Sequence, residues 1–324
     1  MTSRGTCHLF FPKDSAPLIP RHYISFAFGF ATLFLSLIPG AATAGQTTGP
    51  VKVKSISLGL VSATSQKEIE AHFQNFVLYV ARRLGSASTV EGNVVIVSTP
   101  LRMVKPLEEK KIDFYMESPY PTYLINKQGA AALLLRRWKS GMAEYRSLIF
   151  SKKDGETNRL EHLPGRMIAF EDPGSTSGYF LPKVLLLKKG FKLTEKPRPD
   201  AKVGPKEIGY VFASTDVNIV NLVLSKHVAA GAFSNDDYGA LDGNRKADIT
   251  ILAQTDLFPR HLVSVRKDLD ATVRNRLKEV LLAMHQDEEG RTIIQKIDNT
   301  TKFDLLPGGE EIVRRKLVET FRPR

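Results

Sequence analysis

The residue types that could do chemistry are concentrated in residues 171–178, where two acids and a Pro-Gly turn lead into Ser175-Thr176-Ser177-Gly178. A hydrophobic strand pattern precedes this turn and a helix pattern follows it. Backbone N–H groups at the start of a helix are free and carry a partial positive charge. With three adjacent hydroxyl groups they predict a cradle for an anion such as phosphate. Gly178 is expected to let the ligand approach the backbone, although Ser-Thr-Ser could also be a simple helix N-cap.

Other catalytic or metal-binding patterns are missing from the sequence. The histidines His72, His162, His227 and His261 are scattered without the spacing of metal ligands. The hydroxyl run is not a Gly-x-Ser-x-Gly elbow, and the chain lacks the Gly-x-x-x-x-Gly-Lys-Ser/Thr motif of nucleotide hydrolases. We therefore expect no enzyme activity, no metal and no cofactor.

The N-terminus has the pattern of a secretory signal peptide. Arg21 precedes an apolar run over residues 23–38, and Ala42-Thr43-Ala44 fits the small-x-small cleavage rule. We predict that residues 1–44 are removed and that the product is periplasmic, although an uncleaved anchor stays open. The single cysteine, Cys7, lies in this segment, so the mature protein would have no disulfide.

The charge of the chain limits its partners. The formal net charge is +12, but basic residues are interspersed with acids and no basic stripe with interleaved aromatics is present. We expect no nucleic acid partner, and the positive surface would help attract an anionic ligand.

Helix and strand patterns alternate along the chain, which predicts an α/β fold with two doubly wound lobes. Tyr145–Ser151 is expected to carry the chain out of the first lobe and Thr250–Gln254 to carry it back. This makes a two-strand hinge between lobe 1 (45–147 plus 254–324) and lobe 2 (148–253), which contains the cradle.

Four local expectations follow from the same pass along the chain. The apolar run 93–98 is typical of a strand covered on both faces. Arg136-Arg137-Trp138 is expected in a loop, and Asn235-Asp236-Asp237 in a turn. Pro182 predicts that the helix after the cradle either starts later than Ser175 or is kinked, because proline clashes inside a helix.

The order of these features resembles the phosphonate- and phosphate-binding family of periplasmic substrate-binding proteins, the soluble receptors of ABC importers. The resemblance covers nearly the whole mature chain and depends most on residues 171–178 with Pro182. Residues 58–66 are similar to the family's opening strand and loop, and Leu257-Phe258-Pro259 to the segment after its second hinge crossing. The resemblance implies a type II periplasmic binding protein that closes on a small oxyanion and delivers it to an inner-membrane permease.

The resemblance also implies site residues. The donors would be Ser175, Thr176, Ser177 and the Gly178 amide. Where some members carry a His followed by an acid that contacts the ligand, this chain has Thr215 and Asp216. In the first lobe, Glu117 and Tyr120 are close in sequence to the position where members have a tyrosine. A second family acid is replaced by Ala229, which argues against aminoalkylphosphonates. The carboxylates of Glu117 and Asp216 could accept a hydrogen bond from a P–OH group. Sulfate has no such proton, so these acids would select against it.

Three functions stay open at this point. The first is a monomeric transport receptor for a phosphonate, phosphate or phosphite-like oxyanion. The second is a sensor of the same anion for a signalling partner, favoured if the apolar segment is kept. The third is an exported enzyme acting on phosphorylated substrates, for which the sequence offers no general base.

Overall fold

The structure, a computed structural model, describes residues 53–62, 66–85 and 90–322. The predicted signal segment, with its cleavage after Ala44, lies outside these residues. Among the helices that the structure describes, none is long and apolar enough to cross a membrane.

The described residues form strands that alternate with helices through most of the chain. The strands are β1 (Ser55–Val61), β2 (Glu91–Val97), β3 (Phe114–Glu117), β4 (Ala131–Lys139), β5 (Glu144–Tyr145), β6 (Ser147–Lys152), β7 (Met167–Phe170), β8 (Lys192–Glu195), β9 (Glu207–Phe212), β10 (Ala230–Ser234), β11 (Ile249–Gln254), β12 (Phe258–Pro259), β13 (His261–Arg266) and β14 (Thr300–Asp304). The α-helices are α1 (Gln66–Leu84), α2 (Val104–Glu108), α3 (Pro119–Asn126), α4 (Leu181–Lys188), α5 (Asp216–Leu224), α6 (Asn235–Ala240), α7 (Gly243–Ala247), α8 (Ala271–Ala283), α9 (Glu288–Lys296) and α10 (Glu310–Phe321). Short 3₁₀ turns lie at Pro100–Met103, Leu160–His162 and Met284–Gln286, and a π-helical turn at Thr176–Phe180 precedes α4.

The strands make two six-stranded sheets, which confirms the predicted α/β class with two lobes. The first sheet has the order β14-β4-β13-β3-β1-β2, and the second has the order β11-β6-β10-β7-β9-β8. Within each sheet, parallel strands separated by helices adjoin antiparallel strands contributed by more distant parts of the chain. The two crossing segments meet as β5 and β12, which pair antiparallel.

Helices cover both faces of each sheet because each helix buries one apolar stripe. On α1 that stripe includes Phe76, Val77 and Val80, which are fully buried with residues of α8 and α9. The opposite face of the first sheet is covered by α3 and α10. The C-terminal helices therefore pack onto the first sheet, as predicted. In the second sheet, α5 covers one face and α4 the other.

Three local predictions were wrong. Arg136-Arg137-Trp138 belongs to strand β4, whose register with β13 buries Leu133, Leu135 and Arg137. Residues 93–97 of the predicted buried strand belong to β2, an edge strand with mostly half-buried residues. Asn235-Asp236-Asp237 is not a turn but the start of α6, where a capping box with Ser234 fixes the helix.

Candidate functional site

The predicted cradle follows β7 at the carboxyl end of the parallel strands, where open α/β sheets bind ligands. Ser175 is the N-cap of the turn Thr176–Phe180, and its hydroxyl accepts the Gly178 N–H at 2.9 Å. The same hydroxyl donates to the Glu171 carboxylate at 2.6 Å. Both the donor and an acceptor of this side chain are therefore used inside the loop, as in the N-cap alternative.

Gly178 is packed rather than open. A Cβ atom placed on Gly178 would lie 2.5 Å from Glu171 Oε2 and 2.9 Å from Ser175 Oγ. The expectation that this glycine leaves room for a ligand is therefore wrong on that side, because the Glu171 side chain fills the space. A glycine is needed here so that the loop can fold back on itself.

Thr176 joins the cradle to the first half of the molecule. Its side chain is 2% exposed, and its Oγ1 lies 3.0 Å from Ser118 Oγ. The same oxygen accepts the backbone N–H of Tyr120 at 3.0 Å. Ser118 and Tyr120 lie at the start of α3, so the cradle hydroxyl occupies one of the free N–H groups of a helix in the facing half.

Ser177 ties the cradle to the start of β6 and to Tyr145. Its carbonyl accepts from Ser147 Oγ at 2.6 Å. Its hydroxyl acts on the buried Tyr145 phenol and lowers the pKa of that group. The helix after the cradle starts late, at Leu181, and Pro182 lies in its first turn. This confirms the predicted option that the helix starts later than Ser175. The first N–H groups of the Thr176–Phe180 turn have no partner within that turn.

Glu117 ends β3 one residue before Ser118, at the edge that faces the cradle. Burial raises the pKa of this carboxyl to about 7. The Ser118 N–H and the charge of Arg137 lower the pKa, but burial has the larger effect. Glu117 therefore changes protonation near neutral pH. It can accept a proton from a ligand hydroxyl when charged and donate one when neutral.

Tyr120 contacts the cradle through its backbone, while its ring packs elsewhere. The ring stacks on Phe180 with centroids 3.9 Å apart and also meets Phe321 of α10. It forms one wall of a pocket of about 530 Å³, whose rim carries Lys127 and Lys183. The structure thus gives Tyr120 a packing role between the two halves of the molecule.

Thr215 and Asp216 lie at the start of α5, after β9 and beside the cradle. Thr215 is the N-cap of α5 and accepts the Asn218 N–H at 3.1 Å. Asp216 is the first residue of that helix rather than its cap. Burial raises the pKa of Glu171, and the charges of Asp172, Asp237 and Asp216 add to that rise. The Ser214 N–H donates to the Glu171 carbonyl at 2.8 Å, which holds the segment before α5 beside the cradle.

Ala229 lies outside this region. It precedes β10 at the amino end of the strand, and its N–H donates to the Met167 carbonyl at 2.8 Å. The carboxyl end of the same strand is followed instead by Asp236 and Asp237. The argument against aminoalkylphosphonates from Ala229 is therefore wrong, because this position is at the opposite end of the strand from the cradle.

The structure adds a polar cluster that the sequence did not reveal. Arg260, after β12, pairs with Asp236 of α6 at 2.5 Å, and both side chains are largely buried. Arg137 pairs with Asp298 at 2.9 Å and lies opposite His261 across β4 and β13. Burial lowers the pKa of His261 well below its usual value, and the nearby arginine charges lower it further.

This cluster has no sequence motif, because its members come from the crossing segment, two strands and two helix ends. Unpartnered buried atoms recur in it: Arg137 Nε, Tyr145 Oη, Asp236 Oδ1 and His261 Nδ1. In the described ranges, no group of acids, histidines and cysteines could hold a metal ion.

Two α/β lobes joined by paired crossing segments, with polar loops facing each other at the strand ends, define a type II periplasmic binding protein. The family model described as "ABC transporter, phosphonate, periplasmic substrate-binding protein" matches residues 58–306, and the chain belongs to this family. Members of this family are substrate-binding proteins of transporters, not enzymes.

Comparisons with individual proteins agree with this assignment. The phosphate-import protein PhnD of Mycolicibacterium smegmatis is 23% identical over 174 residues, which cover 52% of this chain and 53% of that protein. The match thus spans about half the length of this relative.

Two solved structures share the fold. XAC2383 from Xanthomonas citri, bound to ATP, has a TM-score of 0.75 and 24% identity over 83% of this chain and 98% of its own. PhnD1 from Prochlorococcus marinus, in complex with methylphosphonate, has a TM-score of 0.58 and 16% identity over 82% and 97%.

Proposed function

We propose that this protein is the substrate-binding component of an ABC importer. It captures a phosphonate, phosphate or phosphite-like oxyanion between lobe 1 (45–147 plus 254–324) and lobe 2 (148–253) and delivers it to the permease. The observation that carries the proposal is the contact of Thr176 with Ser118 and the Tyr120 N–H, which brings the anion cradle against a second helix start. Two helix N-termini meeting at one point favour an anion between them.

The donors proposed for the ligand are the N–H groups at the start of the Thr176–Phe180 turn, with the hydroxyls of Thr176 and Ser177. Thr176 would exchange its contacts with α3 for the ligand, or share them with it. Ser175 and Gly178 are then supports rather than direct donors, because they bond each other and Glu171. A bound anion would add a further link between the lobes to the contacts of Thr176 with Ser118 and Tyr120, so ligand binding would favour the closed arrangement.

Selectivity is proposed to come from the acids around the cradle. Glu117 and Asp216 can accept a hydrogen bond from a protonated phosphoryl oxygen, whereas sulfate at neutral pH has no such proton to offer. Because Glu117 titrates near pH 7, it can accommodate ligands with and without that proton. Asp236 and Asp237 add acceptors at the end of β10, so an amino group on the ligand is compatible with this site.

The proposed setting is the periplasm, reached by removal of residues 1–44. The protein would act there as a monomer, without a cofactor or a nucleic acid partner, and would meet an inner-membrane permease. Mass measurement of the N-terminus of the exported protein checks the cleavage after Ala44. A retained apolar segment would instead favour the anion sensor for a signalling partner.

The direct test is calorimetric titration of residues 45–324 with phosphate, phosphite, methylphosphonate, aminoethylphosphonate and sulfate. We expect at least one phosphorus oxyanion to bind with one ligand per protein and sulfate to bind far more weakly. ATP belongs in the panel because the Xanthomonas citri structure is bound to it and it carries phosphoryl groups. Absence of binding to every phosphorus compound contradicts the proposal, and turnover of a phosphate ester would favour an enzyme.

A further inference from the structure

The two crossing segments place one tyrosine and one arginine side by side at the junction of the lobes. β5 pairs with β12, and the Arg260 N–H donates to the Ala143 carbonyl at 2.8 Å. The Arg260 guanidinium carbon lies 4.4 Å from the centre of the Tyr145 ring. This cation–π contact fixes both side chains next to each other.

The Tyr145 hydroxyl is buried and unmatched. The residue is 1% exposed, and its hydroxyl has no hydrogen-bond partner in the described parts of the chain. Burial raises the pKa of Tyr145 to about 12, while the charge of Arg260 lowers it. The hydroxyls of Thr176 and Ser177 also lower this pKa, but neither makes a hydrogen bond of good geometry with the phenol. Buried hydroxyls normally have partners, and one without a partner points to an acceptor that binds there.

Arg260 has unused donors at the same place. Its Nε donates to Asp236 at 2.5 Å, but its two terminal nitrogens have no hydrogen-bond partner among the described residues. A guanidinium fork matches the paired oxygens of a phosphoryl group. The cradle needs such help, since the Ser175 and Thr176 hydroxyls already bond to Glu171, Ser118 and the Tyr120 N–H.

We infer that Tyr145 and Arg260 are ligand-binding residues of the interlobe site, in which the tyrosine hydroxyl donates to an oxygen of the bound oxyanion and the guanidinium neutralises its charge. This inference rests on the proposed function and narrows it. The guanidinium of Arg260 can only donate, and the Tyr145 hydroxyl beside it is proposed to donate to the same ligand, so together they favour an oxygen that carries no proton. The ligand class is therefore a tetrahedral phosphorus oxyanion that presents unprotonated oxygens to the crossing segments and its remaining oxygens to the cradle.

The test compares two Tyr→Phe variants by calorimetry, with methylphosphonate and inorganic phosphate as probes, and by thermal unfolding. In Tyr145→Phe we expect affinity to fall at least tenfold, because a hydrogen bond to a charged group is lost. The melting temperature should stay close to the wild-type value, because the removed hydroxyl makes no hydrogen bond of good geometry with the described residues. In Tyr79→Phe, which loses a bond to Asp287 between α1 and α9, we expect lower stability and unchanged affinity.

A second variant tests the arginine. Arg260→Lys keeps a charge for Asp236 and removes the fork, so we expect affinity to fall several-fold in the folded protein. If wild-type protein binds a probe and Tyr145→Phe binds it equally well, the inference is overturned while the proposed function stands. If wild-type protein binds no phosphorus oxyanion, the proposed function fails, and the inference fails with it.

Discussion

The hydroxyl of Thr176 accepts the backbone N–H of Tyr120 at 3.0 Å, and this bond joins the cradle of the second lobe to the first turn of α3 in the first lobe. The oxygen that should hold the ligand is thus also a contact between the lobes. In the proposed function, the Thr176 side chain therefore contributes both to ligand affinity and to lobe closure.

Thr176→Val should reveal that dependence. Valine matches threonine in shape but provides no donor or acceptor, so the Tyr120 N–H and the ligand both lose a partner. We expect ligand binding to weaken by about 2–3 kcal/mol. Calorimetric titration with the best ligand of the panel measures this loss, and unchanged affinity would exclude Thr176 from the site.

Thr157→Val is the matched control for this substitution. Thr157 is as buried as Thr176, but it lies near the amino ends of the second-sheet strands, and its hydroxyl has no partner among the described residues. Affinity should stay at the wild-type value in this variant. A comparable loss of affinity in both variants would mean that burial, not position, causes the effect.

Glu117 should make stability depend on pH. Burial raises the pKa of its carboxyl from 4.5 to about 7, so the folded protein holds this proton more tightly than the unfolded chain. Its contribution to stability is present below the unfolded pKa and is lost as the pH rises through about 7. From pH 5 to pH 8 we expect the free energy of unfolding to fall by on the order of 2 kcal/mol through this group.

Urea unfolding at several pH values measures that change in wild-type protein and in Glu117→Gln. The wild type should lose stability relative to Glu117→Gln as the pH rises, because glutamine does not titrate. Glu161→Gln, at an exposed position, serves as the control and should follow the wild type. Parallel curves for wild type and Glu117→Gln would show that burial does not perturb this carboxyl.

Gly178 offers a test of how the cradle loop is held. A methyl group at this position would lie within 2.5 Å of the Glu171 side chain, so Gly178→Ala should overpack the loop and lower the free energy of unfolding by about 1–3 kcal/mol. Gly239→Ala is the control, because nothing lies within 4 Å of its Cβ position in α6. That variant should be neutral or slightly stabilised, and equal effects in the two would contradict the packing argument.

The sequence predicted the parts of the molecule that local patterns determine. Apolar periodicity located α1 and α10, and the turn-hydroxyl pattern located the cradle. It failed at β4, because Arg136, Arg137 and Trp138 suggest an exposed loop unless one knows that buried Arg137 has Asp298 as its partner. That ion pair joins residues far apart in sequence, and no local pattern records it.

The candidate site also has a part that the sequence predicts and a part that only the fold reveals. The cradle residues are contiguous, so their chemistry was visible before folding, but the bonds of Ser175 to Glu171 and of Thr176 to Ser118 depend on the folded geometry. Tyr145 and Arg260 meet only because the chain crosses twice between the lobes. Residues brought together by topology need the structure to be found.

The stack between Tyr120 and Phe180 tests whether packing across the lobes supports closure. The rings lie 3.9 Å apart and connect α3 to the segment before α4. Phe180→Leu keeps an apolar side chain but removes the stack, which is worth about 0.5–1.5 kcal/mol. We expect a several-fold loss of affinity and a larger radius of gyration by small-angle scattering without ligand.

Two further variants distinguish closure from simple loss of packing. Phe150→Leu breaks a similar stack on Phe233, with centroids 4.0 Å apart, but both rings belong to the second sheet. It should lower stability without changing the radius of gyration. Tyr120→Phe retains the stack and should keep wild-type affinity, because the backbone N–H of this residue, not its hydroxyl, contacts the cradle. A loss of affinity in Tyr120→Phe would instead place the Tyr120 hydroxyl on the ligand.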